Sequence, residues 1–172
     1  MKKLLFFVFI CGVMSACNGI WSFPNEEHHN LPNDKIPLLK NNDIIYYQDS
    51  ATSKLDTFKL NIDDIWGQTQ EGNYFRYITI FYNKITTSTT FLRINITSAA
   101  PDGAIFGYNY YSVGVLALKI KTNFTLNGIT YPTVYITNLP PDATPNTVYF
   151  TYKNGIIRYE YKDGRVYNLV SK

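Results

Sequence analysis

From Ile36 onward the chain is written in short runs of β-branched and aromatic residues separated by turn signals, and this punctuation constrains the fold more than any other feature. The runs are Ile44–Gln48, Leu55–Ile62, Tyr74–Tyr82, Thr90–Thr97, Val113–Lys121, Ile129–Thr137, Thr147–Tyr152, Ile156–Tyr161 and Val166–Val170. Nine strands joined by short connections predict an all-β fold, a single antiparallel sandwich or barrel. No stretch carries a helical stripe of useful length, and the strand–helix alternation of a nucleotide-binding sheet is absent. Aromatic residues reach 16%, with 15 Tyr and 11 Phe, and charged residues fall to 17%, below the usual ~25%. That much large apolar surface can offset chain entropy, which excludes a disordered chain.

Several turns are explicit. Asn127-Gly128 separates Asn123–Leu126 from Ile129–Thr137, a strong hairpin signal because both residues tolerate positive φ. Asn154-Gly155 precedes the run Ile156–Tyr161, and Lys162-Asp163-Gly164 follows it, so the last three strands are expected to form a meander. Pro101-Asp102-Gly103 and Leu139-Pro140-Pro141-Asp142 break the chain between runs.

Alternation within the runs assigns faces. Leu92, Ile94 and Ile96 point one way, and Arg93, Asn95 and Thr97 the other. Leu116, Leu118 and Ile120 are likewise expected to oppose Ala117, Lys119 and Lys121. Tyr74–Tyr82 is apolar or aromatic on both faces apart from Arg76. It is therefore either a central strand covered on both sides or one whose outer face meets a ligand.

The amino terminus sets a compartment. Lys2 and Lys3 precede the apolar run Leu4–Val13, which as a helix spans about 15 Å, half a bilayer core. A short apolar run behind a basic start and ahead of small residues describes a secretory signal. Ser15-Ala16 directly before Cys17 resembles the bacterial lipobox, with Met14 where Leu is usual. The resemblance implies removal of residues 1–16 and lipid on Cys17, and such multiple acylation anchors firmly. The mature chain would then hold neither Cys11 nor a free thiol, and 14 basic against 13 acidic side chains. No basic stripe of a nucleic-acid binder is visible, so nucleic acid is not an expected partner.

Residues 17–35, the lipidated Cys and the Pro- and Asn-rich segment Asn18–Lys35, are expected to form a flexible tether reaching about 60 Å, with the globular domain at 36–172. Glu26-Glu27-His28-His29 carries metal-ligating side chains, but neighbours on a flexible chain are not a preformed site, so no metal is expected. With both His in the tether, the domain would lack His and Cys, which removes Ser-His-Asp and Cys-His catalysis and the usual zinc sites. Phosphate-binding glycine loops are missing as well. No cofactor is expected, and the chain is read as not an enzyme.

The remaining candidates are polar or aromatic. Asp63-Asp64, followed by Trp66, is the densest acidic spot and is expected to form a polar turn; calcium spacing is not met there. Tyr108, Tyr110 and Tyr111 cluster in the Gly- and Asn-containing segment 107–112 and, with Trp66, form a candidate binding surface. Asp49-Ser50-Ala51 resembles the acceptor of O-glycosylated envelope proteins in Bacteroidetes-type bacteria, which implies possible O-glycosylation of Ser50 in the expected turn 48–54.

The whole chain resembles the small envelope lipoproteins of Bacteroidetes-type bacteria. The resemblance rests on the lipobox at Cys17, on Ile45-Tyr46-Tyr47-Gln48-Asp49-Ser50 with Asp56-Thr57-Phe58, and on the ending Asn154-Gly155-Ile156-Ile157 to Glu160-Tyr161 with Asp163-Gly164 and Tyr167. It implies a lipid anchor in the bacterial cell envelope, with the outer membrane the expected location, and carries no catalytic residue onto this chain. The expected function is a non-enzymatic binding or structural module meeting a protein or glycan partner. The alternatives are a lipocalin-like or carrier-like domain that binds an apolar ligand with Tyr74–Tyr82 as cavity wall, and a carboxylate-dependent hydrolase using Asp63 and Asp64.

Overall fold

The computed structural model describes residues 28–68, 72–87, 89–98, 104–108, 111–113, 119–141 and 143–171, with backbone alone at 104–108, 111–113 and 171. The chain is all-β, as its punctuation predicts. The strands are β1 (His28–His29), β2 (Ile44–Asp49), β3 (Leu55–Gln68), β4 (Tyr74–Lys84), β5 (Thr89–Thr97), β6 (Ala104–Tyr108), β7 (Tyr111–Val113), β8 (Lys119–Leu126), β9 (Ile129–Asn138), β10 (Thr147–Thr151), β11 (Gly155–Glu160) and β12 (Val166–Ser171), with one 3₁₀ turn at Asn33–Lys35. Among the described residues no helix is long and apolar enough to cross a membrane.

All twelve strands share one sheet, in the order β7-β6-β5-β4-β3-β2-β12-β11-β10-β9-β8, with β1 parallel to β4 off this path. Two antiparallel meanders, β2–β7 and β8–β12, are joined by the pairing of β12 with β2. The expected three-strand C-terminal meander is thus five strands long.

The sheet folds over itself. β4 and β11 are four places apart, which in a flat sheet would separate them by about 19 Å. Yet the Ile156 N–H donates to the Tyr82 hydroxyl at 2.9 Å, and the buried Tyr159 hydroxyl of β11 donates to Asp56 of β3 at 2.9 Å. A sheet that curves this far encloses its concave face, as a sandwich or open barrel does. That face is filled: Phe58, Leu60, Ile80, Ile94, Val148 and Phe150 have no exposed surface. Each such side chain contributes about 1.5–3 kcal/mol of burial free energy. Phe91 lies between Phe58 and Tyr159, with ring centroids 5.0 and 5.2 Å away.

A smaller core of Leu126, Tyr131, Val134 and Ile157 is separate from the main one. It forms because the β8–β9 hairpin bends towards β12: the Asn127 amide donates to the Leu169 carbonyl at 3.0 Å. The Asn127-Gly128 turn has φ of 49° and 78°, as its sequence requires.

The structure corrects the expected pattern in three places. Of the run Val113–Lys121 it describes only the two ends, Val113 in β7 and Lys119–Lys121 in β8, and residues 114–118 lie outside the described residues. Leu116 and Leu118 are among these, and Ile120, on the edge strand β8, is 64% exposed rather than buried. Asp63-Asp64 is not a turn: β3 runs on to Gln68, paired residue by residue with β4, and Asp63 and Asp64 face the β-branched Thr79 and Ile78 across the ladder. Finally, the body begins before Ile36. His28 and His29 pair with Tyr74 and Phe75, and Leu31 is buried in the main core. Residues 28–35 are therefore part of the domain, which holds both His28 and His29 rather than lacking histidine.

Candidate functional site

The long β3–β4 hairpin extends beyond the main core. On β4, Ile78, Ile80 and Tyr82 face inward, and alternation puts Tyr74 and Arg76 on that same face. On β3, Phe58 and Leu60 face inward, and Asp64 and Trp66 continue their face. Asp64 and Trp66 are exposed and Tyr74 and Arg76 half-buried, so the inner face of the sheet continues here as an open platform.

β5 leaves a free edge that β1 fills. The pairing of β5 with β4 stops at Tyr77↔Thr97. Ser98 then bridges: its N–H donates to the Arg76 carbonyl at 3.0 Å, its hydroxyl accepts from the Arg76 N–H at 2.9 Å, and the same hydroxyl donates to the His29 carbonyl. This places His28 flat on Tyr74, with centroids 4.7 Å apart and planes within 5°, and edge-on to Trp66 at 5.3 Å. His29 stacks on Phe75 at 4.8 Å.

Polar groups border the rings. Arg76 grips Asp64 with two bonds, Nε to Oδ1 at 2.8 Å and Nη2 to Oδ2 at 2.6 Å, and its Nη1 donates to Asn30 Oδ1 at 3.1 Å. The hydrogen bonds and charge of Arg76 hold the Asp64 carboxyl below its usual range, and Asp64 raises Arg76 in return. The pair is therefore charged on both sides and neutral as a unit. Trp66, 44% exposed, and the exposed His28 are open to a partner. Exposed aromatic faces beside fixed hydrogen-bonding groups suit a sugar ring or an amphipathic protein anchor.

The residues singled out in the sequence do not gather at one place. Trp66 lies on the platform. Tyr108 and Tyr111 are register partners across the β6–β7 hairpin, while Tyr110 lies outside the described residues. Gly107, next to Tyr108, is level with Arg93 and so with Phe81, five residues along β4 from Arg76, or about 17 Å. The backbone of the tyrosine hairpin therefore lies apart from Trp66. Cys17 lies outside the described residues. Ser50 is exposed in the β2–β3 turn, where Asp49 accepts from the Ala51 N–H at 2.9 Å and from the Thr52 hydroxyl at 2.8 Å. Those bonds lower the Asp49 carboxyl below its usual range.

Asp63 and Asp64 do not form a working pair, because neighbours in a strand point to opposite faces and Asp64 is committed to Arg76. Among the described residues, no three of His, Cys, Asp and Glu come together as a metal site. The platform residues His28, Tyr74 and Arg76 were not visible as a set in the sequence. The one available signal was the aromatic outer end of the Tyr74–Tyr82 run, and nothing local joins it to His28, more than forty residues earlier. Comparison of the chain with protein-family profiles, with curated proteins and with solved structures finds no match.

Proposed function

We propose that the protein is a lipid-anchored module of the bacterial cell envelope, held in the membrane by Cys17, that acts by binding a protein or glycan partner at the His28–Trp66–Tyr74 platform. The observation that carries the binding half is the stack of His28 on Tyr74 against an exposed Trp66, beside the Asp64–Arg76 pair. A folded protein gains little stability from an exposed Trp at the end of a hairpin, whereas a partner gains a large, rigid contact. The sequence of residues 1–17 supports the anchor. A carrier reading draws less support, since Ile78, Ile80 and Tyr82, the inward side chains of its intended cavity wall, are packed into the core.

Each half has its own test. Growth with an alkyne-bearing fatty acid should label the wild-type chain and leave Cys17→Ser unlabelled; label on both would remove the anchor. The lipidated chain is then used to capture envelope glycans and proteins, alongside Trp66→Ala and His28→Ala. Loss of capture in both variants is the expected result, and unchanged capture in both overturns the platform.

A further inference from the structure

A second concave site shares no residue with the platform. A cleft of about 270 Å³ opens where β9, the turn between β10 and β11, and the 3₁₀ turn meet. Tyr131, Tyr135 and Tyr152 give it aromatic walls, and Thr133, Asn154 and Asp34 add hydroxyl, amide and carboxylate groups. We propose that this cleft binds a single pyranose ring of a neutral sugar.

Size, chemistry and charge converge on that class. The volume lies just below the ~300–1,000 Å³ of pockets for drug-sized ligands, so a ligand of monosaccharide size fits. A pyranose carries apolar C–H faces and an edge of hydroxyls. Tyr135, the partly exposed ring of the three, can meet such a face, and a lining of threonine, asparagine and aspartate offers both donors and acceptors to the edge. Lys153 also lines the cleft, but its Nζ donates to the Asn33 carbonyl, and the nearby Lys35 Nζ sits 5.5 Å from the centre of the Tyr152 ring. An anionic ligand would instead meet the Asp34 carboxylate.

The walls are set before any ligand arrives. Tyr135 packs edge-on to Tyr152 with centroids 5.0 Å apart and lies 5.2 Å from Phe150. The Asn154 N–H donates to Thr151 Oγ1 at 3.0 Å, and the Leu38 N–H to the Lys153 carbonyl at 2.8 Å. A preformed cleft of this kind loses little side-chain freedom on binding.

The experiment is an NMR titration of the isotope-labelled full chain, held in a zwitterionic detergent. The probes are the methyl glycosides of glucose, galactose and mannose and free N-acetylglucosamine, with glucuronate and inorganic phosphate as charged comparators. Saturable millimolar shifts of the Thr133, Tyr152 and Asn154 amides with at least one neutral sugar are expected. Thr133→Val, on a partly exposed side chain that lines the cleft, should weaken that binding about fivefold, the effect of one lost hydroxyl hydrogen bond, and Thr133→Ser, which keeps the hydroxyl, should bind as the wild type does. No saturable shift with any neutral sugar overturns the proposal, as do shifts seen with glucuronate or phosphate alone. Shifts confined to Trp66 and Tyr74 overturn it too, while leaving the platform in place.

Discussion

Gly155 shows how much one position can carry. Its φ is +68°, and a Cβ added there would lie 2.1 Å from the Tyr82 hydroxyl and 2.7 Å from Leu39. The same hydroxyl accepts the Ile156 N–H, so the missing side chain is what lets β4 reach β11. Gly155→Ala combines a left-handed backbone with a contact that forces the buried Tyr82 and Leu39 side chains to shift, each costing on the order of 1–3 kcal/mol. A loss of about 2–5 kcal/mol in urea unfolding is expected, and a loss under about 1 kcal/mol would mean that the two strands do not meet there. Trp66 presents the opposite case. It is exposed, so Trp66→Ala should change stability by less than about 1 kcal/mol while abolishing partner capture. Denaturation and capture measured on the same preparation separate the two effects. Asn154-Gly155 was readable from its residue types as a turn; that Tyr82 also needs the glycine was not, because the two lie far apart in sequence.

Among the elements, β1 and the segment after it depart most from the sequence reading. A Pro- and Asn-rich stretch lacks periodicity, so nothing in it announces a strand. It pairs because β5 stops at Thr97 and leaves the edge of β4 open at Tyr74 and Phe75. Unpaired strand edges are filled where a segment is at hand, and His28 and His29 gain stacking on the exposed rings. Leu31 then enters the core at 4% exposure. Leu31→Ala should cost about 2–4 kcal/mol, as other buried leucines do, and chemical denaturation reads this directly. A change within about 0.5 kcal/mol is what a solvated tether would give. The extension of β3 past Ile62 has a related cause. Two adjacent aspartates read locally as a turn, yet pairing with β4 and the grip of Arg76 on Asp64 hold them in the ladder.

The whole molecule is held by tyrosines whose rings are buried and whose hydroxyls are paired. Tyr47 donates to the Ile156 carbonyl at 2.8 Å, Tyr159 donates to Asp56, and Asp56 also meets Lys84 Nζ at 2.9 Å. Burial pushes Tyr47, Tyr82 and Tyr159 well above the ordinary range, the Asp56 charge adds to this for Tyr159, and Tyr161 rises to about 12. The sign follows from linkage. The unfolded chain releases these protons near pH 10 and the folded one does not, so this stabilisation is fully present below about pH 10 and is lost as pH rises further. The unfolding midpoint should be flat from neutrality to about pH 9.5 and then fall steeply. A midpoint unchanged up to pH 11.5 would show that the buried tyrosines do not control stability.

By itself the sequence determined the fold class, most strand positions, the hairpin turns and which face of β5 is buried, since these depend on the 2-residue period and on residues a few positions apart. The proposed lipid anchor and envelope address also rest on sequence, in the residues up to Cys17. Tertiary structure alone decided the rest: the order of the strands, the closing of β12 against β2, the folding over that brings Tyr82 to Ile156, and the meeting of His28 with Trp66 and Tyr74. Those contacts join residues tens of positions apart, where local pattern carries no information. What settles them is which apolar faces and open strand edges are left to be covered once the hairpins have formed.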